Sequence, residues 1–93
     1  MAVVVENRME GGSQEMYEQV SPKVMPEGQL PEGCQLHLAG PIDEGWRVIT
    51  VWESEDQFKD FLDNKLRPAL EERGGGDVTP NIEVKPVHRL ITS

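Results

Sequence analysis

The sequence predicts an α+β fold in which four strands and two helices follow in the order β-α-β-β-α-β. Three observations carry this. Four segments alternate apolar and polar residues with period two. Two others carry apolar stripes at helical spacing behind a serine, and clusters of glycine and proline separate the segments.

Ala2 to Met9 reads as the first strand, with Val3, Val5, Asn7 and Met9 on one face and Val4, Glu6 and Arg8 on the other. Gly11-Gly12 ends it, and Ser13 is an N-cap for a helix whose stripe is Met16, Tyr17, Val20 and Val24. Pro22 is expected to shorten or bend that helix near Val20. Pro22, Pro26, Gly28, Pro31 and Gly33 make the following stretch a loop. Cys34 to Gly40 alternates Cys34, Leu36 and Leu38 against Gln35, His37 and Ala39, the second strand. Gly40 to Gly45 is a hairpin turn. Trp46 to Glu53 is the third strand, with Trp46, Val48, Thr50 and Trp52 opposite Arg47, Ile49, Val51 and Glu53.

Ser54-Glu55-Asp56-Gln57 is a capping box that opens the second helix, faced by Phe58, Phe61, Leu62, Leu66 and Leu70. Pro68 should kink or restart it, because a residue before proline, here Arg67, disfavours the α region. Gly74-Gly75-Gly76 closes it. Asn81 to Thr92 alternates again as the fourth strand, and Pro86 confines it to an edge or a bulge.

This is the split β-α-β, or ferredoxin-like, arrangement: a four-stranded antiparallel sheet with two helices on one face. The other face offers Val4, Ile49, Val51, Val87 and Ile91, too apolar to leave in water. No element remains to cover it. A second copy of the same sheet is the expected cover, giving a two-fold homodimer.

With 93 residues the chain is expected to be one domain, 1–93. Seventeen acidic residues against nine basic ones give a net charge of −8, which argues against nucleic acid and against an anionic membrane surface. The single cysteine, Cys34, has no intramolecular partner, no apolar run approaches the ~20 residues of a membrane span, and the start lacks a signal-peptide pattern. A cytoplasmic protein is the expectation. Gly74-Gly75-Gly76 lacks the Lys-Ser/Thr of a phosphate loop, and neither histidine belongs to a zinc-protease pattern. No cofactor and no metal are expected from these motifs.

Glu6-Asn7-Arg8 in the first strand and Ile49-Thr50-Val51-Trp52-Glu53-Ser54 before the second helix make the chain resemble the dimeric α+β barrel superfamily, and within it the antibiotic-biosynthesis-monooxygenase-like branch. The resemblance spans nearly the whole chain. It implies a pocket in each subunit between sheet and helices. In the haem-degrading members an Asn, a helix Trp and an axial His define the site. Those positions fall on Asn7, Phe61 and Glu71, so the Asn is kept and the other two are replaced. A carboxylate is a poor substitute for imidazole as an axial haem ligand, which sets haem degradation aside.

Asn7 either ties down a neighbouring loop or orients a ligand oxygen; a buried amide must do one or the other. Strict alternation puts His37 and His88 on opposite faces, and a bulge at Pro86 would bring them together. Each is either a structurally satisfied histidine or a base of near-neutral pKa, and His37 is equally a candidate for the dimer interface. Tyr17, Trp46, Trp52, Phe58 and Phe61 are core residues or the walls of a pocket for a flat ligand. Arg47 and Arg89 are expected to pair with Glu53 or Glu83. The resulting expectation is a cofactor-independent monooxygenase, or a cyclase or isomerase, acting on a small aromatic or polyketide-like molecule. Asn7 would be the donor and His88 the base, with Tyr17, Trp52, Phe58, Phe61 and His37 binding the substrate. The alternative is a non-catalytic dimer that binds a small hydrophobic ligand or serves as an accessory protein.

Overall fold

The structure is a computed structural model that describes residues 2–72 and 79–91, with backbone alone for 79 and 80. Four strands form one antiparallel sheet: β1 (Val3–Glu10), β2 (Cys34–Ile42), β3 (Gly45–Trp52) and β4 (Thr79–Pro86), in the order β2-β3-β1-β4. Helix α1 (Gln14–Val24) follows β1. A second helical stretch follows β3 and is built of α2 (Glu55–Phe61), a π-helical turn (Leu62–Leu66) and α3 (Arg67–Glu72). The fold is the ferredoxin-like α+β arrangement that the element order implied.

Both serines cap as the sequence suggests. Ser13 Oγ accepts from the Met16 N–H, and Ser54 Oγ accepts from the Gln57 N–H. Pro22 does not shorten α1, which runs to Val24 and closes with a Met25 N–H to Ser21 C=O bond of 2.8 Å. A proline inside a helix costs about 3 kcal/mol. Burying the Met16 and Val20 side chains returns roughly 1.5–3 kcal/mol each, enough to hold the turn. The expected loop from Pro22 is therefore helix first, then a 3₁₀ turn over Pro26–Gly28. Pro68 breaks nothing either: Arg67 is α-helical, and its N–H reaches back five residues to the Leu62 carbonyl. The wider π turn moves aside the carbonyl that the proline ring would otherwise strike.

The hairpin between β2 and β3 is tighter than expected. Strand β2 continues through Gly40-Pro41-Ile42, leaving Asp43-Glu44 as the two-residue turn. Pro41 is tolerated because β2 is an edge strand. Gly45 is required where it stands, since a Cβ there would lie 2.2 Å from the Met9 carbonyl oxygen. At the other edge β4 ends at Pro86, so the expected strand to residue 92 stops six residues early. Leu90 and Ile91 lie exposed, Ile91 at 78%. Gly74 to Gly76 and Thr92 lie outside the described residues.

A β-bulge decides the face of every residue in β2. Cys34 pairs with Trp52 but Leu36 pairs with Val51, so Gln35 is an extra residue and the alternation changes phase. Cys34 and His37 consequently lie on the helix side, opposite Trp52 and Thr50. Leu36 and Leu38 turn outward beside Val51 and Ile49, the reverse of the expected grouping of Cys34, Leu36 and Leu38.

The outer face thus carries Leu36, Leu38, Ile49, Val51 and Val4, with Leu38 43% exposed. Arg47 pairs with Glu6 at 3.9 Å, not with Glu53 or Glu83, and Arg8 pairs with Glu44. Beneath the helices the core is split in two. Val3, Val5, Trp52 and Phe58 form one cluster, and Met9, Met16 and Trp46 form the other. On β1 the residue between them is Asn7.

Candidate active site

A cavity lies at that seam, between the helix side of the sheet and the helices, with about 70 Å³ of space open to the centre of a water molecule. Val5, Asn7 and Met9 of β1 floor it, Thr50 and Trp52 of β3 continue the floor, and Met16, Tyr17 and Val20 of α1 close one side. Phe58, Phe61, Leu66 and Leu70 close the other. The walls are therefore almost wholly apolar, and each polar group among them stands out.

Asn7 is 8% exposed, and its buried Oδ1 has no hydrogen-bond partner. An unsatisfied buried carbonyl costs roughly 1–3 kcal/mol. Tying down a loop would use that oxygen; instead the amide faces the cavity with hydrogen-bonding capacity to spare. Thr50 is already engaged, its Oγ1 accepting 2.8 Å from the Trp52 indole N–H. Trp52 is nearly fully buried and packs edge-on to Phe58, with centroids 5.8 Å apart, and tilted to Phe61 at 5.1 Å.

In the same lining, the Tyr17 hydroxyl lies 2.6 Å from His37 Nε2. Tyr17 also packs on Trp46, centroids 5.4 Å apart, which holds the phenol ring against the sheet. Burial lowers the His37 pKa below its ordinary 6.5, because the imidazolium loses hydration that the cavity does not replace. Near pH 7 the ring is neutral and can accept a proton. Cys34 lines the cavity too, but burial pushes its thiol pKa up, and its Sγ donates to the Leu36 carbonyl at 3.4 Å. Such a thiol is a weak nucleophile.

Asn7, Tyr17, Trp52, Phe58 and Phe61 thus meet around one cavity. The histidines trade places relative to expectation. The bulge lies at Gln35, not at Pro86, and it carries His37 into the cavity. His88 follows the end of β4, just after the Val87 N–H bonds to the Ala2 carbonyl, and it is exposed and away from the cavity. Glu71 is exposed on α3 and likewise does not reach the cavity. With an exposed carboxylate outside the cavity in place of an axial imidazole and Phe61 for the helix Trp, the residues at these positions do not fit haem. Among the described residues no group of three or more His, Cys, Asp and Glu could hold a metal ion, and no helix is long and apolar enough to cross a membrane.

No known sequence family matches the chain, and no curated protein does. Solved structures do match. An asparagine-to-alanine variant of SnoaB, a cofactor-independent oxygenase from Streptomyces nogalater, superposes with a TM-score of 0.70 at 16% identity, covering 99% of this chain and 98% of that one. A candidate antibiotic biosynthesis monooxygenase from Deinococcus radiodurans gives 0.66 at 18% identity over 100% and 98%. A candidate monooxygenase from Shewanella loihica gives 0.57 at 17% over 96% of each chain. The chain shares its ferredoxin-like α+β fold with these three solved structures over nearly its whole length.

Proposed function

We propose that the chain is a cofactor-independent monooxygenase, working as a homodimer on a small, flat, ionisable aromatic or polyketide-like molecule held between sheet and helices. The observation that carries this reading is the Tyr17–His37 pair set in an apolar cavity that Asn7 also lines, its buried Oδ1 without a hydrogen-bond partner. The full-length fold likeness to SnoaB, a cofactor-independent oxygenase, supports it.

The chemistry follows from where protons can go. With His37 neutral and its proton on Nδ1, the Tyr17 hydroxyl donates to Nε2. A substrate enol or phenol hydrogen-bonded to the Tyr17 oxygen then loses its proton to Tyr17 as the Tyr17 proton passes to His37. The resulting anion is electron-rich and reduces dioxygen itself, so the electrons come from the substrate. A carbon–oxygen bond forms, the imidazolium returns its proton to the peroxide, and loss of water leaves a carbonyl. In sum, a CH₂ group and O₂ give C=O and H₂O. Asn7 binds a substrate oxygen with its amide, and the apolar walls keep water from competing for the anion. His37 thereby takes the base role first given to His88.

The outer patch of Leu36, Leu38, Ile49, Val51 and Val4 supports the homodimer, because its burial against a second copy removes a contiguous apolar surface from water. A cytoplasmic setting fits an acidic chain with one half-buried cysteine.

Dioxygen uptake with anthrone tests the reading. The expected result is uptake above the spontaneous rate, one O₂ per anthraquinone formed, with one labelled oxygen in the product from ¹⁸O₂. Binding of anthrone with no uptake above background would instead favour a binding protein.

A further inference from the structure

The apolar cavity does not end at its own walls. Val24, Pro31 and Phe61 line it and also line a second, larger and more open groove, with about 480 Å³ of space open to the centre of a water molecule. This groove lies between the segment that follows α1 and the helical stretch Glu55–Leu66. Its lining is mixed: beside Pro26 and Leu30 it carries the amides of Gln29, Gln57 and Asn64, the carboxylates of Glu32 and Asp60, and the ammonium of Lys65.

The wall facing α2 is firmly placed. Gly33 has φ +86, and a Cβ there would lie 2.6 Å from the Gln57 side chain, so the segment after α1 sits directly against α2. Gln57 is itself held, its Oε1 accepting from the Ser54 hydroxyl at 3.1 Å. Phe61 packs on Trp52 in the inner cavity and borders the groove as well.

We propose that this groove is a second subsite, which takes an uncharged, hydroxyl-rich substituent of the molecule whose flat part fills the inner cavity. The inference rests on reading the inner cavity as the substrate pocket. Amide side chains both donate and accept, and carboxylates accept, which is the set that matches vicinal hydroxyl groups. Two carboxylates against one ammonium, on a chain of net charge −8, disfavour an anionic substituent. The apolar border that the cavity and the groove share at Val24, Pro31 and Phe61 suits the linkage between a planar ring and a polar ring. The substrate is therefore two-part, a flat aromatic head with a sugar-like tail.

Quenching of tryptophan fluorescence, read on the intact protein, tests this with three probes: 2-naphthol, 2-naphthyl β-glucoside and 2-naphthoxyacetate. The glucoside is expected to bind at least tenfold tighter than 2-naphthol, and the naphthoxyacetate no tighter than 2-naphthol. In the exposed double variant Gln29→Ala/Asn64→Ala the glucoside advantage is expected to vanish while 2-naphthol affinity stays unchanged. A glucoside that binds no better than 2-naphthol, or an advantage that survives the double variant, overturns the subsite and leaves the inner cavity standing. Naphthoxyacetate as the tightest ligand overturns its chemical class. If 2-naphthol itself does not bind, the reading of the inner cavity fails and the subsite with it.

Discussion

Tyr17 Oη and His37 Nε2 stand 2.6 Å apart, joining α1 to the edge strand β2 in the lining of the cavity. Twenty residues separate them in sequence, and only the bulge at Gln35 turns the imidazole toward the phenol.

Replacing His37 with Ala should lower the rate of anthrone-dependent dioxygen uptake by roughly 10²–10⁴, the range for a lost general base. His88→Ala should leave the rate within experimental error of wild type, since His88 is exposed and away from the cavity. The opposite pattern, measured on folded variants, would return the base role to His88.

The lowered His37 pKa also links pH to stability. The unfolded chain binds a proton at His37 near 6.5, whereas the folded chain binds it only at lower pH. Between those two values the unfolded state holds more protons, so stability rises with pH through that window. His37 therefore contributes fully above about pH 6.5, and its contribution is lost as pH falls through the folded value. Urea midpoints from pH 4.5 to 8 should show this slope in wild type and a shallower one in His37→Gln. Equal slopes would mean that the ring is not desolvated.

Asn7 should separate stability from activity. Asn7→Leu removes an unsatisfied buried carbonyl and joins the two halves of the core, so thermal unfolding should shift upward by about 1 kcal/mol. Catalysis should fall by the equivalent of about 2.7–4 kcal/mol, if its amide stabilises the substrate oxygen as an oxyanion donor does. A variant that is less stable and equally active would assign Asn7 to structure alone.

The dimer is best tested at Leu38. Val51 is only 6% exposed within one chain, so Val51→Asp would destabilise the protomer whether or not a dimer exists. Leu38 lies on the same outer face and is 43% exposed, so Leu38→Asp should spare the fold and place a charge in the interface. Light scattering should give a dimer for wild type and a monomer for the variant, with unchanged circular dichroism. A wild-type monomer at micromolar concentration would remove the homodimer from the proposed function.

Much of the cavity was legible in the sequence because its residues follow local periodicity. Asn7 shares a strand parity with Val3, Val5 and Met9, and Tyr17, Phe58 and Phe61 follow helix caps that both formed where serine stands. What was not legible is the pairing of one strand with another. No glycine or proline at Gln35 marks the bulge, and the alternation from Cys34 to Gly40 looks unbroken. The two prolines expected to interrupt helices were outweighed by packing at Pro22 and accommodated by a π turn before Pro68.

Residue order by itself therefore determined the α+β arrangement, the faces of β1 and β3, both N-caps and the polar interruption at Asn7, since these depend on periods of 2 and 3.6 along the chain. Tertiary structure alone decided which histidine reaches the cavity and which leucines face outward. Hydrogen-bond register between β2 and β3 sets that parity, and one extra residue reverses every side chain beyond it.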